Sequence, residues 1–231
     1  MELISGINEK DFGLRRSIIS KVAYGKIRID TLLPEFKILN AFGLNYQNEN
    51  EADKIGKISK IIELTKDYKS FVKTIKQNSL ENVWSNIKLT DQNASNVYRK
   101  SISNFFRDSS VKEGKEKFNE RWLESNRNQI KTSTIKFFAN IISQTQFCNS
   151  KSENELISSY DNSIDVYLMA SAFFNDKKVT MKDLPANNDY IDMQHLVYLN
   201  DFNDKIISDD KIFKRVLGSI YPDKIIDSNE I

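Results

Sequence analysis

The sequence predicts an α/β protein that is mostly helical and contains one small parallel sheet. Glycine and proline account for only 10 of the 231 residues, which excludes collagen-like, low-complexity and turn-rich all-β chains. Between Lys57 and Leu184 the only helix-weakening residue is Gly114, so several helices joined by polar turns are expected there. At both ends of the chain, short β-like runs alternate with helical patterns, as is typical of a small parallel sheet.

The N-terminal part is expected to contain one strand and one helix. Residues 26–30, with the sequence KIRID, have the alternation of a short strand. Pro34 then stands in the first turn of a helix, a position where its missing N–H costs nothing. That helix carries a set of apolar residues at helical spacing: Leu33, Phe36, Leu39 and Phe42.

The first helix of the middle stretch is amphipathic. Its apolar face is predicted to hold Leu64, Tyr68, Phe71 and Ile75. The opposite face holds a stripe of four lysines: Lys66, Lys69, Lys73 and Lys76. Two interpretations stay open, because such a stripe is either an ordinary solvated surface or a contact for nucleic-acid phosphates.

Three further helices are expected before residue 179. The pattern breaks at residues 86–90, and a helix then runs from about 93 to 107 with Asp91 as its N-cap. The next helices span about 111–147 and 153–174. Their aromatic side chains, Phe137 and Phe138 among them, are predicted to be core residues because helical spacing explains them without a ligand.

The C-terminal part alternates between the two kinds of element. A short apolar helix is predicted at 191–199, a strand at 205–208, a helix at 211–220 and a second strand at 224–227. Charge also differs along the chain: residues 1–44 carry a net +2, residues 45–178 a net +4 and residues 179–231 a net −4. The sequence thus divides into two end segments, 1–44 and 179–231, in which strand and helix patterns alternate, and a middle segment, 45–178, that is predicted to be all-α.

Several kinds of chemistry are excluded by the residues present. The sequence has no Gly-rich phosphate loop, no GxSxG and no HExxH, and a single His195 cannot build a multi-histidine metal site. Cys148 is the only cysteine, which is typical of a reducing compartment. No apolar run is long enough for a membrane span and the first residues lack the features of a signal peptide, so a cytoplasmic protein without a membrane partner is expected.

Carboxylates at three strand-to-helix junctions are the candidate chemical groups. Glu35 follows the strand at 26–30, Asp192 begins the helix at 192–199, and Asp209 and Asp210 follow the strand at 205–208. Carboxylates that converge from separate elements suit Mg²⁺ or Mn²⁺. The structural alternative is that Asp192 and Asp210 are helix N-caps and that the negative charge of Glu35 interacts favourably with the positive end of a helix dipole. For His195, two interpretations stay open: it either orients the carboxylate of Asp192 or packs against neighbouring side chains.

The C-terminal residues resemble those of PIN-like nuclease domains. In the run 188–199, NDYIDMQHLVYL, Asp192 opens a D-x-x-H-L-x-Y pattern, and in 205–211, KIISDDK, the strand ends in the S-x-D of Ser208 and Asp210. The resemblance covers about the last 45 residues. It implies that 1–44 and 179–231 are the two parts of one PIN-like α/β domain and that 45–178 is a large helical insertion in it. It implies that Asp192, Asp210 and Glu35 are catalytic, and that these three and Asp209 bind the metal. Ser208 and His195 have supporting positions.

This resemblance implies a metal-dependent endonuclease, with RNA as the expected substrate and DNA as the alternative. The four lysines of the stripe then supply phosphate contacts. The first strand of PIN-like domains, which ends in an aspartate, has no counterpart in this sequence, so either the chain is shortened or the first acid has been lost. The alternative function is therefore a weak or inactive PIN-like helical module that binds a protein partner or self-associates.

Overall fold

The computed structural model describes residues 7–24, 33–46, 49–108, 120–148, 151–199, 203–208 and 210–226. These residues are mostly helical and include a two-stranded parallel sheet, as predicted. None of the helices in these ranges combines the length and the apolar character needed to cross a membrane.

In chain order the regular elements are α1 (Phe12–Tyr24), α2 (Pro34–Ala41), α3 (Glu49–Leu64), α4 (Tyr68–Gln77), α5 (Glu81–Asp108), α6 (Glu120–Ser143), α7 (Glu153–Ser159), α8 (Asp165–Met181), α9 (Asp189–Gln194), β1 (Ile206–Ile207), α10 (Lys211–Ile220) and β2 (Ile225–Ile226). Short 3₁₀ turns occur at Gln146–Cys148, His195–Tyr198 and Pro222–Lys224. The prediction was therefore correct for α2 and α10, and for strands near 205–208 and 224–227. The predicted strand at 26–30 lies outside the described residues.

The chain forms two compact units. Unit 1 comprises Met1–Leu33 and Gln47–Asn93, and unit 2 comprises Pro34–Tyr46 and Ala94–Ile231. These boundaries differ from the three predicted segments, because residues 45–178 are divided between both units. The segments around Glu35 and around Asp192 and Asp210 belong to the same unit.

Two predicted helix boundaries were wrong. No break occurs at residues 86–90, because α5 runs without interruption from Glu81 to Asp108 and Asp91 lies in its interior rather than at an N-cap. This segment contains neither glycine nor proline, so nothing in it terminates a helix. Conversely, the single helix expected at 153–174 is two helices, α7 and α8. Asn162, at a φ of +66°, adopts the left-handed conformation in the turn between them.

Unit 1 packs around a small apolar cluster. Phe71 and Ile75 of α4 are completely buried there, beside Ile58 and Ile62 of α3. The ring of Phe12 in α1 lies 5.5 Å from that of Phe71, measured between centroids. The predicted apolar face of this region was thus correct for Phe71 and Ile75. It was wrong for Leu64, which ends α3 and is 69% exposed.

Unit 2 has the larger core, in which α6 packs against α7 and α8. Its fully buried members include Phe42, Leu156, Leu168 and Leu217. Phe137, predicted to be a core residue, is instead 61% exposed on α6, while its neighbour Phe138 packs against the core. Adjacent helix positions point in different directions, so the two phenylalanines cannot both face the same core.

Gly43 sets the end of α2. The N–H of Gly43 donates to the carbonyl of Asn40 and that of Leu44 to the carbonyl of Leu39, the two bonds of a Schellman motif. Gly43 has a φ of +73°, a conformation that glycine adopts without strain. A Cβ atom here would lie 2.8 Å from Cβ of Ser159. This glycine therefore terminates the helix and also allows residue 159 to approach closely.

The sheet consists of β1 and β2 in parallel, joined through α10. Ile206 pairs with Ile225 and Ile207 with Ile226. The backbone N–H of Ser208 extends the pairing by donating to the carbonyl of Ile226 at 3.1 Å. This strand, helix and strand arrangement places Ser208 and Asp210 at the carboxyl end of β1, where α/β proteins place ligand-binding groups.

Candidate functional site

Asp210 is the N-cap of α10. Its backbone is extended, with φ −67° and ψ 132°, and its Oδ1 atom accepts a hydrogen bond from the N–H of Ile212 at 3.0 Å. The hydroxyl of Ser208 accepts a hydrogen bond from the N–H of Asp210 at 3.1 Å. The structural alternative considered for Asp210, an N-cap, is therefore correct, and Ser208 contacts the backbone of this residue. Capping uses one carboxylate oxygen, so Oδ2 is the atom through which Asp210 would reach a ligand.

Asp192 is not an N-cap. Helix α9 begins at Asp189, three residues earlier than predicted, and Asp192 lies half-buried within it. The reason is Asp189, whose Oδ2 accepts a hydrogen bond from the N–H of Ala186 at 2.7 Å and lies 3.7 Å from Nζ of Lys178. Asp189 thus fixes the start of α9. The capping explanation for the carboxylate of Asp192 is thereby removed.

The loop before α9 is attached to helix α5. The hydroxyl of Ser95 donates to the backbone carbonyl of Asn187, and the guanidinium of Arg99 donates to the side-chain oxygen of the same residue. Pro185 in this loop is completely buried. The position of α9, and with it the position of Asp192, is therefore determined from α5 as well as from Lys178 in α8.

His195 directly follows α9. Its side chain is half-buried, and its backbone N–H donates to the carbonyl of Asp192. The chain then turns through the 3₁₀ segment His195–Tyr198, in which Leu196 and Val197 are nearly completely buried. These apolar contacts hold the segment that connects Asp192 to the core.

Glu35 lies in the first turn of α2, as predicted, and is exposed. Helix α2 packs against the 3₁₀ turn His195–Tyr198. In this contact, Nζ of Lys37 lies 5.0 Å from the ring centroid of Tyr198, within cation–π distance. The helix that carries Glu35 is therefore a direct neighbour of the segment that follows Asp192.

The three acids belong to connected elements. Helix α10, which Asp210 caps, packs against α8, and α8 packs in turn against α9 and the turn at 195–198. Within the described ranges, no three side chains of His, Cys, Asp or Glu form a group that could by itself hold a metal ion.

The fourth predicted metal ligand, Asp209, lies outside the described residues. Carboxylates are suitable donors for Mg²⁺, which proteins commonly hold through one or two of them together with water and substrate phosphates.

The lysine stripe is exposed, but it is not carried by a single helix. Lys69, Lys73 and Lys76 lie on α4, whereas Lys66 precedes that helix in the turn after α3. Asp67 is the reason, because its Oδ1 atom accepts a hydrogen bond from the N–H of Ser70 at 2.8 Å and begins a new helix. Three of the four lysines therefore project from one helix.

A polar cluster in unit 2 has no counterpart in the sequence predictions. Lys131 of α6 donates hydrogen bonds to Asn162 and Asp165, and the hydroxyl of Tyr160 donates to Oδ1 of Asp165 at 2.7 Å. Burial raises the pKa of Tyr160 above its ordinary value, and the hydrogen bond to Asp165 raises it further. No local pattern signals this cluster, because Lys131 lies about 30 residues before the other three members in the sequence.

Comparison with known proteins gives no relative. No protein-family model matches the sequence, and no curated protein or solved structure shows significant similarity to it. The resemblance of the C-terminal residues to PIN-like domains therefore stays a prediction.

Proposed function

We propose that unit 2 contains the carboxylate site of a PIN-like endonuclease that hydrolyses phosphodiester bonds in RNA with the help of Mg²⁺ or Mn²⁺. The observation that carries the proposal is the packing of α2 against the turn at His195–Tyr198, because it makes the helix of Glu35 a neighbour of the segment that directly follows the helix of Asp192. The position of Asp210 at the carboxyl end of β1 supports it further.

In this proposal each residue has a distinct part. The carboxylates of Asp192, Asp210 and Glu35 are the proposed ligands from which the cation would take one or two, and Ser208 keeps Asp210 in place by accepting a hydrogen bond from the N–H of that residue. A bound Mg²⁺ or Mn²⁺ would lower the pKa of a water molecule and stabilise negative charge on a phosphoryl oxygen. Because no three described side chains form a metal-binding group, water and the substrate phosphate would supply the remaining coordination positions.

The test is a calorimetric titration of the full chain with Mn²⁺, followed by a cleavage assay on single-stranded RNA. Asp192→Asn and Asp210→Asn should each weaken Mn²⁺ binding at least tenfold and abolish cleavage. Asn also caps helices, so Asp210→Asn removes the charge while it keeps the hydrogen bond to Ile212. Asp53→Asn, at an exposed position of α3 in unit 1, is the matched control and should change neither property.

A wild-type chain that neither binds Mn²⁺ nor cleaves RNA would overturn the proposal. Sedimentation and pull-down experiments would then test the alternative, an inactive PIN-like module that self-associates or binds a protein partner. Equal loss of Mn²⁺ binding in the Asp53→Asn control would also contradict the proposed site, because it would indicate a general effect of charge.

A further inference from the structure

We infer that α4 of unit 1 is a phosphate-binding face for single-stranded nucleic acid that acts without regard to base sequence. The inference concerns binding and stands independently of the proposed hydrolysis. It rests on three features of the described residues: a helix fixed to its core, a row of lysines along the exposed face, and few carboxylates nearby.

Helix α4 is fixed at both ends and along its inner face. Asp67 caps its N-terminus, and the N–H of Asn78 at its C-terminus donates to carbonyls of the last turn. Phe71 and Ile75 are completely buried, and the ring of Phe71 lies 5.3 Å from that of Trp84. The orientation of the outer face is therefore set before any ligand arrives, which lowers the entropic cost of binding.

The outer face presents ammonium groups in a row. Lys69, Lys73 and Lys76 are all exposed and follow one another at spacings of four and three residues, so they share one side of the helix. At a rise of about 1.5 Å per residue, successive lysines are separated by about 6 Å and about 4.5 Å along the axis, within a factor of two of the roughly 3.4 Å between charges along one strand of DNA.

Few negative charges oppose this row. Residues 54–80 contain seven lysines and only two acidic residues, and α4 itself contains none. Of the two acids, Glu63 pairs with Lys60 at 3.2 Å and Asp67 is used in capping. Glu81 lies 3.6 Å from Lys76, but both side chains are more than half exposed, so this pair is weak and an incoming phosphate can replace it.

The burial of the apolar face of α4 favours a nucleic acid over an anionic membrane as the binding partner. An amphipathic helix that binds membranes inserts its apolar face into the lipid, whereas Phe71 and Ile75 are already committed to the protein core. Only the lysines remain for contact. Ammonium groups act as point charges on phosphates and carry no base recognition, which favours a nucleic-acid backbone.

The test measures the binding of a fluorescein-labelled 20-nucleotide oligo(U) RNA by fluorescence anisotropy, with EDTA present so that no metal-dependent step contributes. The triple variant K69Q/K73Q/K76Q should bind at least tenfold more weakly at 50 mM salt. The slope of log K against log salt should also fall by about 2, since each phosphate contact on a single strand contributes about 0.7. The variant K69R/K73R/K76R keeps the charge and should bind like the wild type.

The matched control removes three exposed lysines from other helices and loops, K10Q/K21Q/K136Q, with the same change in net charge. It should leave the affinity within about twofold of the wild type. Equal losses in both triple variants would overturn the inference, as would unchanged binding in K69Q/K73Q/K76Q. Binding to vesicles that contain phosphatidylserine, without binding to RNA, would also overturn it. Because EDTA excludes the proposed cleavage, failure here and failure of the nuclease proposal are separate results.

Discussion

Lys131 in α6 and Asp165 at the start of α8 form an ion pair in which the ammonium group donates to the carboxylate oxygen Oδ2. The other oxygen of Asp165 accepts the hydroxyl of Tyr160. One carboxylate thus holds together α6, the turn after α7 and the first residue of α8. Both charged side chains are only 30% exposed, so water screens this pair less than it screens a pair on the surface.

We expect Asp165→Asn to lower the free energy of unfolding by roughly 1.5–3 kcal/mol, the contribution of hydrogen bonds to a charged group. The substitution keeps the shape of the side chain but removes the charge from two hydrogen bonds. Urea denaturation measures the effect. The control is Glu81→Gln, which breaks a pair with Lys76 in which both side chains are more than half exposed and should cost at most about 1 kcal/mol. If the two variants lost the same free energy of unfolding, the lower exposure of the Lys131–Asp165 pair would make no difference to its contribution, which would contradict the prediction.

Gly43→Ala should lower the free energy of unfolding by roughly 1–3 kcal/mol, because a residue with a Cβ atom is strained at positive φ. The added atom would also lie 2.8 Å from Cβ of Ser159, so α2 and α7 must move apart. Gly218→Ala is the opposite case, since nothing lies within 4 Å of its Cβ position and it is inside α10. This second variant should gain about 0.5–1 kcal/mol. Thermal denaturation of both proteins distinguishes backbone strain from a general effect of alanine.

Ser152→Ala should remove the capping box of α7 and cost about 1 kcal/mol. Hydrogen bonds from Ser152 lower the pKa of Glu155 in the folded protein. The carboxylate therefore stabilises the fold at pH values above the ordinary Glu pKa, and this contribution is lost as the pH falls through the folded pKa. In the variant the pKa of Glu155 should rise toward its ordinary value, which an NMR titration measures. An unchanged pKa would contradict the capping role.

Asp210→Ala should be less stable than Asp210→Asn by about 1 kcal/mol, because alanine cannot accept the hydrogen bond from Ile212 and asparagine can. Chemical denaturation of the two variants measures the difference. The comparison separates the structural role of this residue from its proposed role as a ligand: only the cap distinguishes the two variants in stability, while both lack the charge that a cation requires. Two variants of equal stability would show that the cap contributes little.

The elements predicted best were those with a clear signal at both ends. Helix α10 lies between Asp210 and Tyr221-Pro222, and Pro34 begins α2, so local chemistry was sufficient for both. Helix α5 was predicted wrongly because residues 86–90 were interpreted as a break in the pattern, although neither glycine nor proline is present there. The turn that separates α7 from α8 contains Asn162 in a left-handed backbone conformation. The residues around Asn162 in the sequence do not require this conformation, so the turn was not predicted.

The candidate site could be predicted only in part. The sequence indicated that Glu35, Asp192 and Asp210 lie at element boundaries, and the structure places all three in the first turn or at the cap of a helix. The start of α9 could not be predicted, because it depends on Lys178, which contacts Asp189 from α8. Long-range contacts of this kind have no signature in a single sequence. Metal binding and nuclease activity stay predictions for the experiments described above.

The loop that precedes α9 has a practical consequence for protein engineering. Loops that expose small and polar residues are the usual places for inserting tags or binding peptides. Here the backbone carbonyl of Asn187 is bound by Ser95, the side chain of Asn187 is bound by Arg99, and Pro185 fills a buried position. An insertion would have to break these attachments and would displace Asp192 with them. The loop is therefore a poor site for grafting, although several of its side chains face solvent.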